Sequence, residues 1–212
     1  MILTLIGLPG SGKGTQGQML AKKLGIPLIS IGDMLRTIIR ENREEARLLN
    51  QYISEGKLVP SELTNKIVQK ILLVGAQKNG CIFDGYPRNL LQAKFLENIT
   101  NQKIITIFFD IEDEVVIKRI LGRFNCGDCA KIYNSYYKKP IIDGVCDSCG
   151  STQFIYRQDD SEEVIRKRIQ EYKKETSPLI SYYKNSENFY SIDAQQGEVE
   201  VTSKLNALLK TI

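Results

Sequence analysis

ILTLIGLPGSGKGT, residues 2–15, joins a short apolar run to a glycine-rich turn. Residues 13–24 follow with the length and apolar spacing of a helix, so the segment is predicted to form a strand, a loop and a helix in succession. Glycines in such a loop let successive backbone N–H groups turn inward around an oxyanion, and the helix N-terminus adds partial positive charge. The stretch therefore predicts a phosphate-binding loop.

Two side chains of this loop have the chemistry that a bound nucleotide requires. Lys13 is placed to reach the β- and γ-phosphates, and Thr15 to offer its hydroxyl to Mg²⁺. Gly14 stands where the general pattern has Ser or Thr, so the hydroxyl comes one residue later. A turn that only lets a helix pack closely on a strand is the alternative, but it gives no reason for the Lys-x-Thr order.

Further apolar segments of strand length follow, and helical patterns fall between most of them. They are Ile26 to Ile29, Cys81 to Phe83, Ile104 to Phe109 and Phe189 to Ile192. This alternation indicates a parallel sheet covered by helices on both faces. The predicted fold class is α/β, a P-loop doubly wound parallel sheet of about five strands.

Two segments interrupt the alternation, one charged and helix-like, the other rich in Gly, Cys and Tyr. They are interpreted as lobes inserted into one core, with these bounds: core 1–29, 60–121 and 158–212; first lobe 30–59; second lobe 122–157. After the second lobe, Asp160 is predicted to start a long helix with Glu163 placed as in a capping box. That helix is expected to end before or near Pro178, or to kink there.

Composition narrows the functional classes. The 212 residues carry a formal charge of +4 with a pI near 8.7, which suits anionic substrates. No Lys/Arg run reaches the length typical of nucleic-acid patches, so no nucleic-acid partner is expected. The apolar N-terminus lacks a basic signal-peptide region and is too short to span a bilayer, which predicts a soluble cytoplasmic protein with no membrane partner. There is no histidine, so the commonest general base is missing.

The cysteines predict a metal site. Cys126-x-x-Cys129 and Cys146-x-x-Cys149, separated by 16 residues, have zinc-ribbon spacing. Four thiolate ligands leave no open coordination position, so the predicted Zn²⁺ is structural. Two alternatives are a pair of redox dithiols and a zinc-ribbon module that binds nucleic acid. Cys81 starts an apolar strand and is assigned to core packing.

Several separate motifs occur in the order and at the distances found in adenylate kinases, and the sequence resembles that family across essentially the whole chain. The motifs are Gly7 to Thr15, Ser30-Ile31-Gly32-Asp33-Met34-Leu35-Arg36, Gly56-Lys57-Leu58-Val59, Phe83-Asp84-Gly85-Tyr86-Pro87-Arg88 with Gln92, Gly122-Arg123, and Arg157-Gln158-Asp159-Asp160 with Arg168. The resemblance implies transfer of the terminal phosphoryl group of Mg·ATP to AMP, giving two ADP. These nucleotides would be the partners of a monomeric enzyme.

The resemblance implies that the lobe 30–59 binds AMP. Arg36 and Arg88 would clamp the AMP phosphate, because a planar guanidinium pairs bidentately with phosphate. Gln92 would offer its amide to the adenine edge, and Ile31 differs from the threonine that most of these enzymes have there. The implied AMP-binding residues are Ile31, Arg36, Lys57, Leu58, Val59, Gly85, Tyr86, Pro87, Arg88, Gln92, Arg157 and Arg168.

The ATP side is assigned in the same way, with the lobe 122–157 as a lid that closes over ATP. Arg119 would approach ATP, with a salt-bridged helix arginine as the alternative. The implied ATP-binding residues are Gly10, Ser11, Gly12, Lys13, Gly14, Thr15, Arg119, Arg123, Ile132, Tyr133 and Gln196. Asp84 ends a predicted strand and is assigned to the magnesium hydration shell. Asp33 is expected either to join Asp84 or to cap a helix.

The implied reaction needs no general base. The nucleophile is an oxygen of the AMP phosphate, whose second pKa near 6 leaves it largely ionised at neutral pH. The work left is positioning and charge stabilisation. The implied catalytic residues are Lys13, Asp84, Arg88, Arg123, Arg157 and Arg168. A uridylate/cytidylate kinase is the near alternative, but those enzymes usually carry Asn at the position of Gln92 and have a short lid.

Overall fold

The computed structural model describes residues 1–41, 46–73, 79–157 and 159–211. Gln158, which belongs to the predicted Arg-Gln-Asp-Asp motif and to the predicted start of a core segment, lies outside the described residues. The strands are β1 Ile2–Gly7, β2 Leu28–Ser30, β3 Cys81–Asp84, β4 Ile104–Asp110, β5 Arg123–Cys126, β6 Ile132–Asn134, β7 Phe154–Ile155 and β8 Phe189–Asp193. The helices are α1 Lys13–Leu24, α2 Ile31–Arg40, α3 Ala46–Ser54, α4 Ser61–Ile71, α5 Leu90–Ile99, α6 Asp113–Leu121, α7 Glu162–Glu171, α8 Pro178–Tyr183 and α9 Glu198–Leu208.

The main sheet has five parallel strands in the order β2-β3-β1-β4-β8. β1 lies at its centre, and all six of its residues are buried. Buried on both faces, such a strand is an almost continuous apolar run. The predicted α/β fold class with a parallel sheet of about five strands is confirmed.

Alternate residues of β1 enter two different parts of the core, as the period of a strand requires. Leu3 and Leu5 pack in one cluster with residues of α1, α6, α7 and α9, including Leu20 and Val116. Ile2 packs in the other, and that cluster draws on α2, α3, α4 and α5. The sheet is therefore covered on both faces.

The predicted strand at Ile26 to Ile29 was wrong in its bounds, since β2 covers Leu28–Ser30. Gly25 ends α1 in the left-handed conformation, with φ of 66°, so the chain is still turning as it reaches Ile26. Pro27 lacks an N–H, and its carbonyl accepts from the N–H of Ile82.

Two predicted helix starts also differ from the structure. Ser161 caps α7, because its hydroxyl accepts from the N–H of Val164, so the expected start at Asp160 and its capping box with Glu163 were wrong. Asp33 does not cap α2, because Ser30 holds that position and accepts from the N–H of Asp33.

The predicted long helix ends before Pro178, as expected. α7 gives way to a π-helical turn at Tyr172–Thr176. Pro178 then begins α8, where its missing N–H has no helical partner to lose. The helical path therefore continues past the proline as a separate short helix.

A second, smaller sheet contains β6, β5 and β7 in antiparallel order. Its core is aromatic, with the ring centroids of Phe124 and Tyr133 5.6 Å apart and Phe154 set edge-on to both. Cys126 and Cys146 are buried in the same cluster. In the described parts of the chain, no helix has both the length and the apolar character needed to cross a membrane.

Candidate active site

A cleft of about 500 Å³ lies where β1 and β3 end, at Gly7 and Asp84. Ligands of open α/β sheets collect at the carboxyl ends of the strands. Every nucleotide-site residue predicted from the sequence lines this cleft, including the loop 10–15, the turn 85–88 and Arg119, Arg123, Arg157 and Arg168. The structure thus brings together residues that are spread from Gly10 to Gln196 in the chain.

The phosphate loop is held closed by its own lysine. The Nζ of Lys13 donates to the carbonyls of Gly7 at 2.8 Å and Leu8 at 2.7 Å, and to the Ser11 Oγ at 3.1 Å. Burial lowers the pKa of Lys13 to about 8, although the nearby Asp84 carboxylate acts to raise it. The ammonium is therefore desolvated and strongly responsive to a phosphate placed beside it.

Asp84 lies directly against the loop. A Cβ added at Gly14 would approach the Asp84 Oδ2 to 3.2 Å, so the glycine that departs from the general loop pattern leaves room for this carboxylate. Burial raises the pKa of Asp84, and the positive charges of Lys13 and Arg88 partly offset that effect. Asp84 and Thr15 both line the cleft, and their side chains offer oxygen atoms of the kind that Mg²⁺ prefers.

The turn that carries Arg88 depends on a glycine. Gly85 has φ of 74°, and a Cβ there would come within 2.8 Å of an Arg88 Nη atom. The Nε of Arg88 donates to the Gly85 carbonyl at 2.9 Å, and the Thr176 hydroxyl donates to the Arg88 carbonyl at 2.7 Å. These contacts fix the guanidinium in the cleft, where burial lowers its pKa.

Gln92 is almost fully buried in the wall of the cleft, with 2% of its surface exposed. Its Oε1 accepts from the Arg88 N–H at 2.8 Å, and its Nε2 donates to the Thr64 Oγ1 at 3.0 Å. An amide offers two donors and two acceptor positions, so one of each remains for a ligand.

Two carboxylates hold three further arginines of the cleft. Asp159 lies 3.0 Å from Arg168 and 3.7 Å from Arg36, and Asp33 lies 3.2 Å from Arg157. Burial acts to raise the pKa of Asp159, but the guanidiniums of Arg168 and Arg36 outweigh it and lower the value. Such charge-assisted contacts fix side chains that would otherwise repel one another.

Burial first, and neighbouring arginines second, lower the pKa values of two arginines in the cleft. Burial lowers the pKa of Arg157 to about 10, with further lowering by Arg123 and Arg36. It lowers the pKa of Arg168 to about 10 as well, against the opposing effect of Asp159. A polyanion in this cleft would relieve the repulsion, so the site is electrostatically complementary to phosphates.

Arg119 also lines the cleft, and it donates to the carbonyls of Ala194 and Gln196, at 2.9 and 3.0 Å, and to that of Gln195. Among the described residues these contacts are to carbonyl groups, so the salt-bridged alternative for Arg119 is not supported. Tyr133 lines the cleft, but its ring is buried in the small sheet and its hydroxyl donates to the Cys146 Sγ.

Some residues of the cleft were missed in the sequence. Thr64 lies in α4 without any motif around it, and Glu171 accepts from the Leu58 N–H at 3.2 Å from 113 residues away. Lys57 lines the cleft, yet its ammonium pairs with Glu55 at 2.7 Å on the exposed side. The Leu58–Glu171 and Thr64–Gln92 pairs join residues far apart in the chain, so they leave no local signal in the sequence.

The four predicted cysteines lie together, with all their Sγ atoms within 4.8 Å of one another. The Sγ atoms of Cys126 and Cys149 are 3.5 Å apart, and those of Cys129 and Cys146 are 3.6 Å apart. A tetrahedral ion with Zn–S bonds of about 2.3 Å requires sulfur atoms about 3.8 Å apart, so the donor set fits Zn²⁺. The backbone N–H of Ser148 and the Tyr133 hydroxyl donate to the Cys146 sulfur, as partners of a thiolate would.

A phosphate loop facing a cluster of buried arginines across one cleft, with no histidine in the chain, defines a phosphotransferase of the nucleoside monophosphate kinase class. The family described as "Adenylate kinase" matches residues 5–188. Adenylate kinases of Rickettsia africae (strain ESF-5) and Rickettsia akari (strain Hartford) are 53% and 52% identical to this chain over 210 residues, covering 99% of each partner. That of Rickettsia prowazekii (strain Madrid E) is 51% identical over 211 residues.

The chain therefore belongs to the adenylate kinase family. Its reaction is the reversible transfer of a phosphoryl group from ATP to AMP, giving two ADP, as the sequence predicted. The uridylate/cytidylate alternative and the nucleic-acid alternative are not favoured by these similarities.

Proposed function

We propose that the phosphoryl group moves between nucleotides held at opposite ends of the cleft. Lys13 and the loop 10–15 bind the ATP phosphates, and Arg88 with Arg36 binds the AMP phosphate. Arg123, Arg157 and Arg168 stabilise charge on the migrating group. The observation that carries this proposal is that all these cations line one cleft around the phosphate loop.

No proton need be removed for attack, because the AMP phosphate is already ionised. The contribution of the chain is to hold two polyanions in line and to keep water out. The Lys13 ammonium is desolvated in the free protein, and a bound phosphate gives it an opposite charge to pair with. The arginines lose their mutual repulsion at the same moment, so binding of the nucleotides and organisation of the site are coupled.

Adenylate kinases act on ATP with Mg²⁺, and the oxygen atoms of Thr15 and Asp84 fit that ion. When bound, the ion would neutralise negative charge on the ATP phosphates. Asp33 is the less suited of the two predicted aspartates, because its carboxylate pairs with Arg36 and Arg157. We assign the hydration shell of the ion to Asp84.

We propose residues 30–59 as the AMP-binding lobe and 122–157 as the lid over ATP, both inserted in a core of 1–29, 60–121 and 158–212. Lys138 supports the lid assignment, because its Nζ lies 2.8 Å from both carboxylate oxygens of Glu198 at the start of α9. The contact joins the inserted segment to the main body beside Gln196, a predicted ATP contact. Closure here would shield the phosphates from water.

We propose that Cys126, Cys129, Cys146 and Cys149 hold a structural Zn²⁺ that orders this lid. The aromatic core of the small sheet is too small to form a stable unit by itself. Four sulfur ligands would leave the ion no position for substrate. Monomeric state and cytoplasmic location are predictions of the sequence only.

The assigned roles are tested by a panel of monophosphates with Mg·ATP. AMP should be phosphorylated far faster than UMP, CMP or GMP, and Lys13→Met and Arg88→Met should each lower turnover by about a hundredfold or more with an unchanged circular dichroism spectrum. Glu163→Gln, which removes one exposed ion pair to Lys167, is a control that should keep full activity. Full turnover by a folded Arg88→Met variant would contradict the assigned AMP phosphate site.

A further inference from the structure

Thr64 is a buried polar residue of α4 that no motif singles out, and its hydroxyl contacts Gln92 of α5. The Thr64 Oγ1 lies 3.1 Å from the carbonyl of Ser61 and 3.4 Å from that of Pro60. A carbonyl oxygen can only accept, so the hydroxyl proton points to one of these carbonyls. The oxygen of the hydroxyl is therefore left to accept from the Gln92 Nε2.

The other end of the Gln92 amide is fixed with the same polarity. The N–H of Arg88 can only donate, so the atom that it meets at 2.8 Å must be the amide oxygen. Rotating the amide by 180° would set Nε2 against this N–H and Oε1 against the Thr64 oxygen. The Arg88 N–H would then lose its acceptor, and the Thr64 contact would be kept only if the hydroxyl proton left the α4 carbonyl and turned to Oε1.

We propose that Thr64 is a positioning residue that, together with the Arg88 N–H, fixes the order of donor and acceptor on Gln92 and so selects adenine at the AMP site. This inference rests on the proposed role of Gln92 at the AMP base. Adenine offers an N6 donor beside an N1 acceptor, which matches the one free acceptor position and the one free N–H of a fixed amide. Hypoxanthine reverses this order, with an O6 acceptor beside an N1 donor, so a fixed amide rejects IMP.

The hydrogen bonds of this contact run in one direction. The Gln92 amide donates to the Thr64 hydroxyl, and that hydroxyl donates to the backbone of α4. Ser61 and Asn89 strengthen the same junction, since the Asn89 Nδ2 donates to the Ser61 Oγ at 3.0 Å. Asn89 also caps α5 by accepting from the Gln92 N–H. The Ser61–Asn89 contact thus links the starts of α4 and α5 one turn before the Thr64 contact.

The test compares Thr64→Val, Thr64→Ala and Thr64→Ser, with AMP and IMP as acceptors of the phosphoryl group. Valine keeps the shape and removes the acceptor, whereas serine keeps the hydroxyl. Losing one buried hydrogen bond should raise KM for AMP about tenfold in the valine and alanine variants. Their preference for AMP over IMP in kcat/KM should fall by a similar factor. The kcat for AMP should change little, because in the described part of the chain no hydrogen bond joins Thr64 to a phosphate-binding side chain. The serine variant should behave as the unmodified chain.

Gln92→Leu separates failure of this inference from failure of the proposed AMP site. If this variant keeps the AMP preference, the role proposed for Gln92 is wrong. If it loses the preference while both Thr64→Val and Thr64→Ala keep it, only the role of Thr64 is wrong. Urea unfolding of all variants gives the purely structural contribution, and a valine variant that is less stable but equally selective would overturn the inference.

Discussion

Arg123 and Asp160 form a two-point ion pair across the base of the proposed lid. The Nε of Arg123 donates to Oδ2 at 2.9 Å and its Nη2 donates to Oδ1 at 2.6 Å. Both side chains are largely buried, with 14% and 8% of their surfaces exposed. A fork-to-fork pair of this kind fixes the plane of the guanidinium and leaves its remaining N–H groups for a phosphate.

Asp160→Asn should therefore lower kcat more than it changes KM for either nucleotide. The amide has one acceptor oxygen, so the two-point contact is lost and the expected fall in kcat is about tenfold to a hundredfold. Glu162→Gln is the matched control, because it removes the same charge from an exposed pair with Arg166. Equal kcat values for the two variants in steady-state assays would show that Arg123 needs no help from Asp160.

Gly85→Ala should raise KM for AMP about tenfold or more, because a methyl group would push the Arg88 guanidinium from its position. The left-handed backbone at residue 85 adds strain of about 1–2 kcal/mol. Gly25→Ala is the control for strain alone, since φ is 66° there and no atom of the described residues lies within 4 Å of the added Cβ. The two variants should lose similar stability in urea, but only the first should lose AMP affinity; equal KM values would contradict the role of Gly85.

The local parts of this architecture are predictable from sequence. The strand, loop and helix at residues 2–24 each depend on a pattern of consecutive residues. The structure has α1 at Lys13–Leu24, as expected. The α7 cap was misplaced because two neighbouring residues, Asp160 and Ser161, both suit an N-cap. The choice depends on Arg123, 37 residues away, which engages Asp160. The residues around the start of α7 do not show that Asp160 pairs with Arg123 and leaves the cap to Ser161.

The polarity of Gln92 is a stronger example of the same limit. The motif around Arg88 points to Gln92 as a base contact, but its orientation depends on the Arg88 N–H and on Thr64, 28 residues earlier. The contact exists because α4 and α5 pack against each other. Only the folded chain shows which amide atom faces which partner.

The lowered pKa of Lys13 predicts how ATP affinity depends on pH. Above pH 8 the free protein loses the Lys13 charge, whereas bound phosphate raises the pKa, so binding must take up a proton. The dissociation constant for ATP should rise up to about tenfold between pH 8 and pH 9. Calorimetry at pH 9 in two buffers of different ionisation enthalpy should show proton uptake, and Lys13→Met should abolish it. Uptake that persists in this variant would assign the effect to another group.

The same pKa shift has the opposite sign for folding. The folded chain releases the Lys13 proton near pH 8, whereas the unfolded chain holds it up to about pH 10.5. Folding therefore favours the neutral form of Lys13. Lys13 should lower the free energy of unfolding by its full amount below pH 8, and this effect should fade as pH rises towards 10.5. In urea unfolding at pH 7.5 and 9, Lys13→Met should gain more stability over the unmodified chain at the lower pH. A gain that is larger at pH 9 would contradict the assignment.

Removal of the metal should loosen the proposed lid before it affects the chemistry. The small sheet has one compact aromatic cluster, and Cys126 and Cys146 belong to it, so the ion would join the halves of that core. Stripping zinc with a thiol-reactive reagent and a chelator should lower the melting temperature by about 5 °C or more. Elemental analysis should give one ion per chain before treatment, and a filled site should lower the formal charge from +4 to +2, because four thiolates add −4 and the ion +2.

Turnover at low temperature should fall only as far as the lid loses order, because Lys13 and Arg88 belong to the main body and keep their contacts. Cys149→Ser provides the matching genetic test, since it removes one exposed ligand. Cys81→Ala is its control, because that thiol is buried in β3 away from the cluster and its loss should leave one ion per chain. Hydrogen exchange should report faster opening in residues 123–157 of Cys149→Ser and little change in β1 or β4. Complete loss of turnover with an unchanged melting curve would instead mean that the ion takes part in the reaction.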